Sequence, residues 1–288
     1  MIKKLLLIIL FTYPQFSHSS VEVDFNIWLK KFKITAHEEG ISEETINNSL
    51  KNAKYLEQVI KYDRYQPEFF EDTKTYIKKR ATRSRMLKAK GLLIKNKKLF
   101  DEVEKEFKVE KELLLALWGI ETNFGKHVGK MDIISSLATL SFDKRRSEFF
   151  SKELIILLKL IDQKLINVDT LYGSWAGAFG NFQFMPSSIE NYAIDYDKNN
   201  KIELKQSLPD AVASAANYIS KIGWEYQSSC FHKVELTKPI SKKYINTSAK
   251  KIKNYLTRNF KIFKRNTGWI SRNQARNVRT CCRPRSLS

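Results

Sequence analysis

The stretch from Leu113 to Gly125 reads LLLALWGIETNFG, a dense apolar segment that ends in a single acid and a helix-terminating Asn-Phe-Gly. At helical spacing, Leu114, Leu117 and Trp118 share one face, and Glu121 continues the same stripe. The Asn-Phe-Gly sequence predicts that the helix stops there, which places Glu121 near its C-terminus. Burial against Trp118 and the helix dipole would both raise the pKa of the Glu121 carboxyl, as a general acid requires. The alternative is a solvated surface glutamate.

The beginning of the chain has the pattern of a secretory signal. Lys3 and Lys4 precede the apolar run 5–11, and Ser17-His18-Ser19 supplies the small residues that signal peptidase prefers. We expect residues 1–19 to be a signal peptide and the mature protein to be soluble in the periplasm. Retention of the run as a short membrane anchor is the alternative. No cysteine lies near the cleavage position, which argues against lipid attachment there.

The chain of 288 residues carries a formal charge of +20, which falls to +18 when the two lysines of residues 1–19 are removed. Such a charge attracts polyanions in general, including the acidic polymers of a bacterial wall. Export and the absence of a nucleic-acid-binding motif argue against nucleic acid as a partner. The three cysteines and four histidines form no zinc motif and no nucleophilic pair in the sequence.

The pattern from Val21 onward predicts a mainly α-helical fold, because strand signals are nearly absent. We expect an amphipathic helix that contains Phe25, Trp28, Leu29 and Phe32, followed by a helix that Ser42 caps. A further helix is expected to restart at Pro67, and a long basic helix is expected over about 72–95. Six of the ten glycines lie between residues 119 and 180. Such clustering predicts a close approach of backbone or ligand, or else an ordinary loop. Ser187 or Ser188 is expected to cap the helix that follows.

An acidic loop at 195–210 is the second candidate site. Asp195, Asp197 and Asn199 offer oxygens at positions one, three and five, and Lys201 offers its backbone carbonyl at position seven. Asn200 replaces the usual glycine, and Asp210 would close the shell. The loop therefore predicts a structural Ca²⁺ site, with an Asp/Asn-rich turn that binds nothing as the alternative.

With these segments in view, the chain from about Phe25 to Trp224 resembles the B-type lytic murein transglycosylases, the membrane-bound lytic transglycosylase B family of peptidoglycan-cleaving glycoside hydrolases. Five matching motifs occur in the expected order: VIKYDRYQPEF (59–69), ALWGIETNFG (116–125), LATLSFDKRRSEFF (137–150), GSWAGAFGNFQFMPSS (173–188) and the loop from Asp195 through Ala215-Ala216-Asn217-Tyr218.

The resemblance implies a lysozyme-like core with extra N-terminal helices and an EF-hand-like loop, contained in a catalytic domain at 20–262. It implies nonhydrolytic cleavage of the β-1,4 bond between N-acetylmuramic acid and N-acetylglucosamine, which leaves a 1,6-anhydromuramic end. Glu121 would serve as acid and then as base, without a cofactor. The implied partners are peptidoglycan glycan strands and cell-wall synthesis proteins, and the protein would be a monomer.

The resemblance also implies substrate-binding residues. Ser174 and Gln183 match polar residues of the sugar cleft, Tyr76 and Tyr218 match its aromatic wall, and the pair Arg145 and Arg146 would face the muramyl carboxylate or peptide acids. Each has a local alternative: Ser174 caps a turn, the tyrosines belong to the core, and an arginine pairs with Glu148.

The residues after 262 depart from the family pattern. The Asn-Arg-Ser motif and the Tyr-Ala helix expected after Gly268 are missing, and arginine replaces lysine from Arg265 onward. The segment 263–288 is therefore predicted to be a disordered tail or the product of a lost reading frame. This keeps two alternatives open, a hydrolytic muramidase and a non-catalytic peptidoglycan-binding protein.

Overall fold

The computed structural model describes residues 18–65, 72–228, 234–236 and 260–262, and most of them lie in helices. The helices in this part are α1 His18–Glu38, α2 Glu43–Leu50, α3 Glu57–Arg64, α4 Thr73–Arg80, α5 Arg83–Lys95, α6 Lys97–Phe107, α7 Lys111–Thr122, α8 Ile133–Phe142, α9 Ser147–Asp162, α10 Pro186–Tyr192 and α11 Leu208–Lys221. A 3-10 turn covers Val168–Thr170, and the strands are β1 Met131–Asp132, β2 Tyr172–Gly173, β3 Val234–Leu236 and β4 Phe260–Ile262. The prediction of a mainly α-helical fold is confirmed.

Helix α8 lies at the centre of the hydrophobic core, and every residue from Ile133 to Ser141 is buried. It packs most extensively against α9 and also contacts α1 and α3. Each large apolar side chain buried in this way contributes about 1.5–3 kcal/mol. The hydroxyls of Ser135 and Thr139 accept hydrogen bonds from the backbone N–H groups of Lys54 and Leu56, at 3.2 and 3.0 Å. These bonds fix the connection between α2 and α3 on the core helix.

The N-terminal half agrees with the predicted pattern except at one helix. Phe25, Leu29 and Phe32 of α1 are buried, and the Ser42 hydroxyl caps α2 by accepting from Thr45 N at 3.2 Å. The single long helix expected over 72–95 is wrong, because the chain breaks after Arg80 into α4 and α5. Thr82 causes the break by capping α5 with its own hydroxyl. The predicted restart at Pro67, the tail 263–288 and nearly all of the predicted signal peptide lie outside the described residues.

Two short strands bring the glycine-rich segment to α7. Strand β1 pairs antiparallel with β2, with Met131 opposite Gly173 and Asp132 opposite Tyr172. Gly129, just before β1, has φ +89°, and a Cβ there would lie 2.0 Å from the carbonyl oxygen of Gly173. The close approach expected from the glycine cluster is therefore present, and only glycine permits it at this position.

The N-terminus of α10 differs from its prediction. The helix begins at Pro186 with Met185 as its N-cap, so neither Ser187 nor Ser188 is the capping residue. Proline fixes φ for the first helical position and moves the start of the helix upstream of both serines. The buried Glu153 of α9 accepts hydrogen bonds from Ser187 N at 2.9 Å and Ser187 Oγ at 2.7 Å. A tertiary contact thus replaces the local cap.

Within the described residues, no helix combines the length and the apolar character needed to cross a membrane.

The Glu153 contact yields a stability prediction. We expect Glu153→Gln to lower the free energy of unfolding by about 1–3 kcal/mol, because it removes a charged acceptor from two partly buried donors. Urea unfolding followed by circular dichroism measures the change. Glu148→Gln is the matched control on the same helix: Glu148 is exposed, pairs only with Lys152 in the described part, and its loss should change the stability by less than about 0.5 kcal/mol. Equal effects of the two substitutions would contradict a capping role for Glu153.

Candidate active site

Helix α7 ends one residue after Glu121, as the sequence predicts. Asn123 adopts the left-handed conformation with φ +52°, and its N–H donates to Gly119 O at 3.1 Å. The N–H of Phe124 reaches back to Trp118 O at 3.1 Å, which closes the last turn. Gly125 also has a positive φ. The helix therefore stops abruptly, and Glu121 projects from its final turn.

The side chain of Glu121 is exposed, whereas the sequence predicted its burial against Trp118. Leu114 and Trp118 are buried and Leu117 is half-buried, so the apolar stripe rises from the core to the surface along the helix. Desolvation by the surrounding protein nevertheless raises the pKa of the Glu121 carboxyl above its ordinary value. The carboxyl is thus accessible from solvent although the surrounding protein partly desolvates it. Such a group can hold a proton and still meet a ligand.

Glu121 has no hydrogen-bond or salt-bridge partner among the described residues. The two acids of the neighbouring motif are engaged elsewhere: Asp143 binds Arg64 at 2.7 Å, and Glu148 binds Lys152 at 2.7 Å. The structure therefore gives no evidence for a second carboxylate paired with Glu121. Retaining and inverting glycosidases ordinarily use two.

The glycine-rich segment holds Ser174 and Gln183 in defined positions. The Ser174 hydroxyl accepts from Ala178 N at 3.0 Å, so it does cap a turn, which leaves the hydroxyl proton for another acceptor. Gln183 has φ +52°, and its amide nitrogen donates to Gly180 O at 3.0 Å and to Val128 O at 3.3 Å. Val128 belongs to the loop that follows α7. Both predicted side chains thus lie on backbone that packs against this loop.

Asn181 is a residue of this site that the sequence analysis did not select. It is buried, its Oδ1 accepts from Trp118 Nε1 at 2.9 Å, and its backbone carbonyl accepts from Thr122 Oγ1 at 2.8 Å. Its amide nitrogen donates to the carbonyl oxygens of Leu204 and Lys205, both at 3.1 Å. An amide placed between Gly180 and Phe182, in a run of buried aromatics, was the available signal. Asn181 connects the last turn of α7 to the acidic loop.

The acidic loop has the geometry expected of a cation site. Carboxylate oxygens of Asp195, Asp197 and Asp210 lie within 4.8 Å of one another. Asn200 has φ +65°, so asparagine does take the conformation that glycine usually provides. The Asn199 amide oxygen accepts from Lys201 N at 2.9 Å, and this orders the central turn. Hard oxygen donors of this kind fit Ca²⁺, with the carbonyl of Lys201 as a further donor.

Asp210 also organises the loop from inside. It is fully buried, and its two carboxylate oxygens accept backbone N–H groups of Tyr196, Asp197 and Glu203 at 2.9, 3.3 and 3.0 Å. Oδ1 accepts two of these N–H groups and Oδ2 one, so Oδ2 retains lone-pair capacity for an ion. The loop is therefore held in shape before any cation binds.

The two tyrosines predicted for the aromatic wall, Tyr76 and Tyr218, have different neighbours. The half-buried Tyr218 packs edge to face against Phe184 and Tyr192, with centroids 6.1 and 5.0 Å apart. Tyr76 lies on α4, where the guanidinium of Arg80 stands 3.7 Å from its ring centroid. Tyr218 thus lies next to the glycine-rich segment through its contact with Phe184. Tyr76 instead contacts Arg80, a residue of its own helix.

Arg145 and Arg146 both bind the buried carboxylate of Asp63 rather than Glu148. Arg145 Nε lies 2.8 Å from Asp63 Oδ2, and Arg146 Nη2 bonds to Oδ1. Arg64 also reaches Asp63 Oδ2, at 2.6 Å. Burial works to raise the pKa of Asp63, but hydrogen bonds from Arg145 and Arg146 outweigh it and hold the pKa below its ordinary value. These contacts join the end of α3 to the start of α9.

The chain matches the family model described as "Transglycosylase SLT domain" over residues 24–280, which is most of its length. The chain belongs to the transglycosylase SLT domain family. The resemblance to B-type lytic murein transglycosylases is thereby supported at the level of the family, and the match extends into the segment after 262.

Relatives of this SLT-domain protein include the membrane-bound lytic murein transglycosylase B of Escherichia coli K12. The two are 42% identical over 117 residues, 40% of this chain and 32% of the relative. The structure of SltB3 from Pseudomonas aeruginosa in complex with NAG-NAM-pentapeptide is 31% identical, with a TM-score of 0.70 over 75% of this chain and 57% of that one. The chain therefore spans about a third of the first relative and little more than half of the second.

A third relative is the E. coli lytic transglycosylase Slt35, solved in complex with calcium. It is 25% identical, with a TM-score of 0.68 over 86% of this chain and 78% of that one. The architecture of the SLT domain described above is therefore shared by chains of low overall identity.

The Asp63 cluster of this SLT domain gives a pH-dependent prediction. Asp63→Asn should lower the free energy of unfolding at neutral pH by about 3–5 kcal/mol, because it leaves the nearly buried Arg146 without its counter-charge. A lowered native pKa contributes stability above the ordinary value of 3.8, and that stability is lost as the pH falls through the native pKa. The difference in free energy of unfolding between parent and variant, measured by urea unfolding, should therefore become smaller below about pH 4.

The exposed Asp24 on α1 is the control for this experiment. Asp24→Asn should change the stability by less than about 0.5 kcal/mol at any of these pH values. A parent-to-variant gap for Asp63→Asn that stays constant down to pH 2 would rule out the ion-pair explanation.

Proposed function

We propose that the protein is a lytic transglycosylase that cleaves the β-1,4 bond between N-acetylmuramic acid and N-acetylglucosamine in peptidoglycan. The observation that carries the proposal is Glu121, an accessible carboxyl with a raised pKa and no carboxylate partner among the described residues. Membership of the transglycosylase SLT domain family supports it, as does the similarity to SltB3, which was solved with a NAG-NAM-pentapeptide.

The chemistry needs only one acid. Protonated Glu121 donates its proton to the glycosidic oxygen as the bond to the anomeric carbon breaks, and the N-acetylglucosamine hydroxyl departs. The N-acetyl oxygen of the muramic residue stabilises the positive anomeric carbon, a task that a second carboxylate performs in ordinary glycosidases. Glu121, now ionised, accepts the proton of the C6 hydroxyl while that oxygen attacks the anomeric carbon. The product is a 1,6-anhydromuramic end, and no water is consumed.

The glycine-rich segment supplies two candidates for sugar binding. We assign this role to the Ser174 hydroxyl, which still has its proton to donate, and to the Gln183 amide oxygen, since the amide nitrogen is already bound. Tyr218 extends this wall through its contact with Phe184. Tyr76 is proposed for the opposite wall.

The two predicted arginines are proposed for different tasks. Arg145 keeps 41% of its side chain exposed and can meet muramyl or peptide carboxylates. Arg146 is nearly buried, so we assign it the task of holding Asp63 rather than touching substrate.

The acidic loop is proposed to bind a structural Ca²⁺ through Asp195, Asp197, Asn199, Asp210 and the carbonyl of Lys201. The calcium complex of Slt35 supports this assignment. The ion would neutralise three clustered carboxylates and would have no part in the chemistry.

The proposed cell-wall cleavage supports a location outside the cytoplasm. We propose export to the periplasm by the signal peptide 1–19, a catalytic domain at 20–262 and an atypical tail at 263–288. The partners would be glycan strands and cell-wall synthesis proteins, with the protein itself a monomer.

The role of Glu121 is tested by Glu121→Gln. The variant should release anhydro-muropeptides from purified sacculi about 10²–10⁴ times more slowly than the parent while it still binds sacculi, because it has lost the acid but not the cleft. Mass spectrometry of the products measures the rate, and reducing ends without anhydro ends would indicate a hydrolase instead. Glu112→Gln, an exposed glutamate in the first turn of α7, is the matched control and should retain the parent rate.

The pH profile provides a second test of the same residue. Since desolvation raises the pKa of Glu121, its acid form persists to higher pH than in an ordinary glutamate, and kcat/KM should fall as the pH rises through that pKa. A profile that is flat from pH 4 to pH 8 would count against Glu121 as the proton donor.

The calcium assignment predicts a thermal shift. Ca²⁺ at about 100 times its Kd should add about 2.7 kcal/mol to the stability, seen as a higher Tm in calorimetry after chelator treatment. Asp195→Asn combined with Asp197→Asn should abolish the shift, whereas Asp169→Asn, an exposed acid outside the loop, should leave it intact. No shift in the parent protein up to 10 mM Ca²⁺ would refute the site.

A further inference from the structure

Helices α4 and α5 expose four large apolar side chains. Ile77 is 54% exposed, Met86 48%, Leu87 55% and Ile94 79%, and α5 has no buried residue at all. Isolated exposed apolar residues are normal on a protein surface, but these four lie on two consecutive helices.

Helix α5 has two distinct faces. Leu92 and Leu93 pack against the edge of the hydrophobic core, which accounts for one of them. Arg83, Leu87, Lys90 and Ile94 follow at intervals of four, three and four residues and therefore share the opposite face, which points to solvent. That outward face alternates cations with apolar side chains, so it is not simply the polar side of an amphipathic helix.

The charged side chains between Asp72 and Lys97, in the segment that contains α4 and α5, are all positive. Between Asp72 and Lys97 there are nine basic residues and no acid: Lys74, Lys78, Lys79, Arg80, Arg83, Arg85, Lys88, Lys90 and Lys95. Arg83, Lys90 and Lys95 form no ion pair with any residue in the described part of the chain. Elsewhere on the surface lysines form salt bridges with glutamates, as Lys61 does with Glu57 and Lys152 does with Glu148. The cations of this segment are thus not neutralised by acids of their own segment.

We propose that the outward face of α4 and α5, formed by Ile77, Arg83, Met86, Leu87, Lys90, Ile94 and Lys95, docks on the surface of an anionic phospholipid bilayer. Cations on this basic face would meet the lipid phosphates, and the apolar side chains would enter the boundary between headgroups and acyl chains. Peptidoglycan offers carboxylates to the cations but no hydrocarbon phase to Leu87 and Ile94. The bilayer matches both halves of the pattern.

The basic face lies close in the structure to the turn that follows Glu121, so docking on a bilayer would affect where Glu121 is held. Helix α5 packs against α7, and Lys88 Nζ donates to Asn123 O at 3.2 Å, in the turn just after Glu121. A protein held by the basic face would therefore keep the end of α7 close to the bilayer. Cleavage would then be directed to glycan strands on the membrane side of the wall.

Co-sedimentation of the purified full chain with vesicles tests this inference. Vesicles of phosphatidylcholine with 30% phosphatidylglycerol should bind the parent, pure phosphatidylcholine vesicles should bind it at least tenfold more weakly, and salt should weaken binding to the former. Arg83→Gln, Lys90→Gln and Lys95→Gln together should reduce partitioning to the anionic vesicles by roughly a hundredfold, at about fivefold per cation. Leu87→Gln with Ile94→Gln should reduce it as well, since the apolar contact is lost.

A charge-matched control separates the basic face from net charge. Lys51→Gln, Lys105→Gln and Lys221→Gln together remove three charges from exposed positions outside α4 and α5 and should leave vesicle binding within about threefold of the parent. Circular dichroism confirms that each variant is folded, and release of anhydro-muropeptides from sacculi reports the proposed enzyme activity independently.

Three results would overturn the inference. Equal losses in the two triple variants would show that only net charge matters. Equal binding of the parent to both kinds of vesicle would show that anionic lipid is not recognised. Loss of binding to sacculi but not to vesicles in the α5 variants would assign the basic face to peptidoglycan.

Discussion

The buried side chain of Asn181 holds together the parts on which the candidate site depends. Its side-chain amide oxygen accepts a hydrogen bond from Trp118, 63 positions away in the sequence. Its amide nitrogen donates to the carbonyl oxygens of Leu204 and Lys205, which are 23 and 24 positions away. Each of these buried groups would cost about 1–3 kcal/mol if left without a partner. The approach is also close: a Cβ at Gly125 would lie 2.7 Å from Asn181 Oδ1. The turn after Glu121 can therefore take only a narrow range of positions.

This arrangement couples the acidic loop to the end of α7. Asn181 N–H donates to Leu204 O at 2.9 Å, and the preceding Gly180, at φ +79°, leaves no room for a Cβ beside Leu204. The segment that ends the loop is thus part of the wall that supports Trp118 and Thr122. An ion that rigidifies the loop would act on Glu121 through backbone position, with no electrostatic contact needed. Loop and carboxyl belong to one packed unit.

The sequence was most informative where a local rule decides the structure. The abrupt end of α7 follows from Asn-Phe-Gly, and the left-handed Asn200 follows from the tolerance of asparagine for that conformation. It was least informative where a distant partner decides. Asp63 lies 82 positions from Arg145, and Glu153 lies 34 from Ser187, so neither the arginine cluster nor the tertiary cap leaves a local pattern. The exposure of Glu121 likewise depends on how other segments pack around α7.

The contrast between Asp63 and Glu121 explains how one chain keeps two carboxyls in opposite states. Both are desolvated, which by itself raises a pKa. Asp63 collects three arginines, and its pKa falls. Glu121 lies in a strongly basic protein, where a single nearby cation would lower its pKa in the same way. Arg64, Arg145 and Arg146 are bound to Asp63, whereas the cause of the raised pKa at Glu121 is desolvation. The two pKa values thus shift in opposite directions because hydrogen-bonded arginines outweigh desolvation at Asp63, whereas desolvation acts at Glu121.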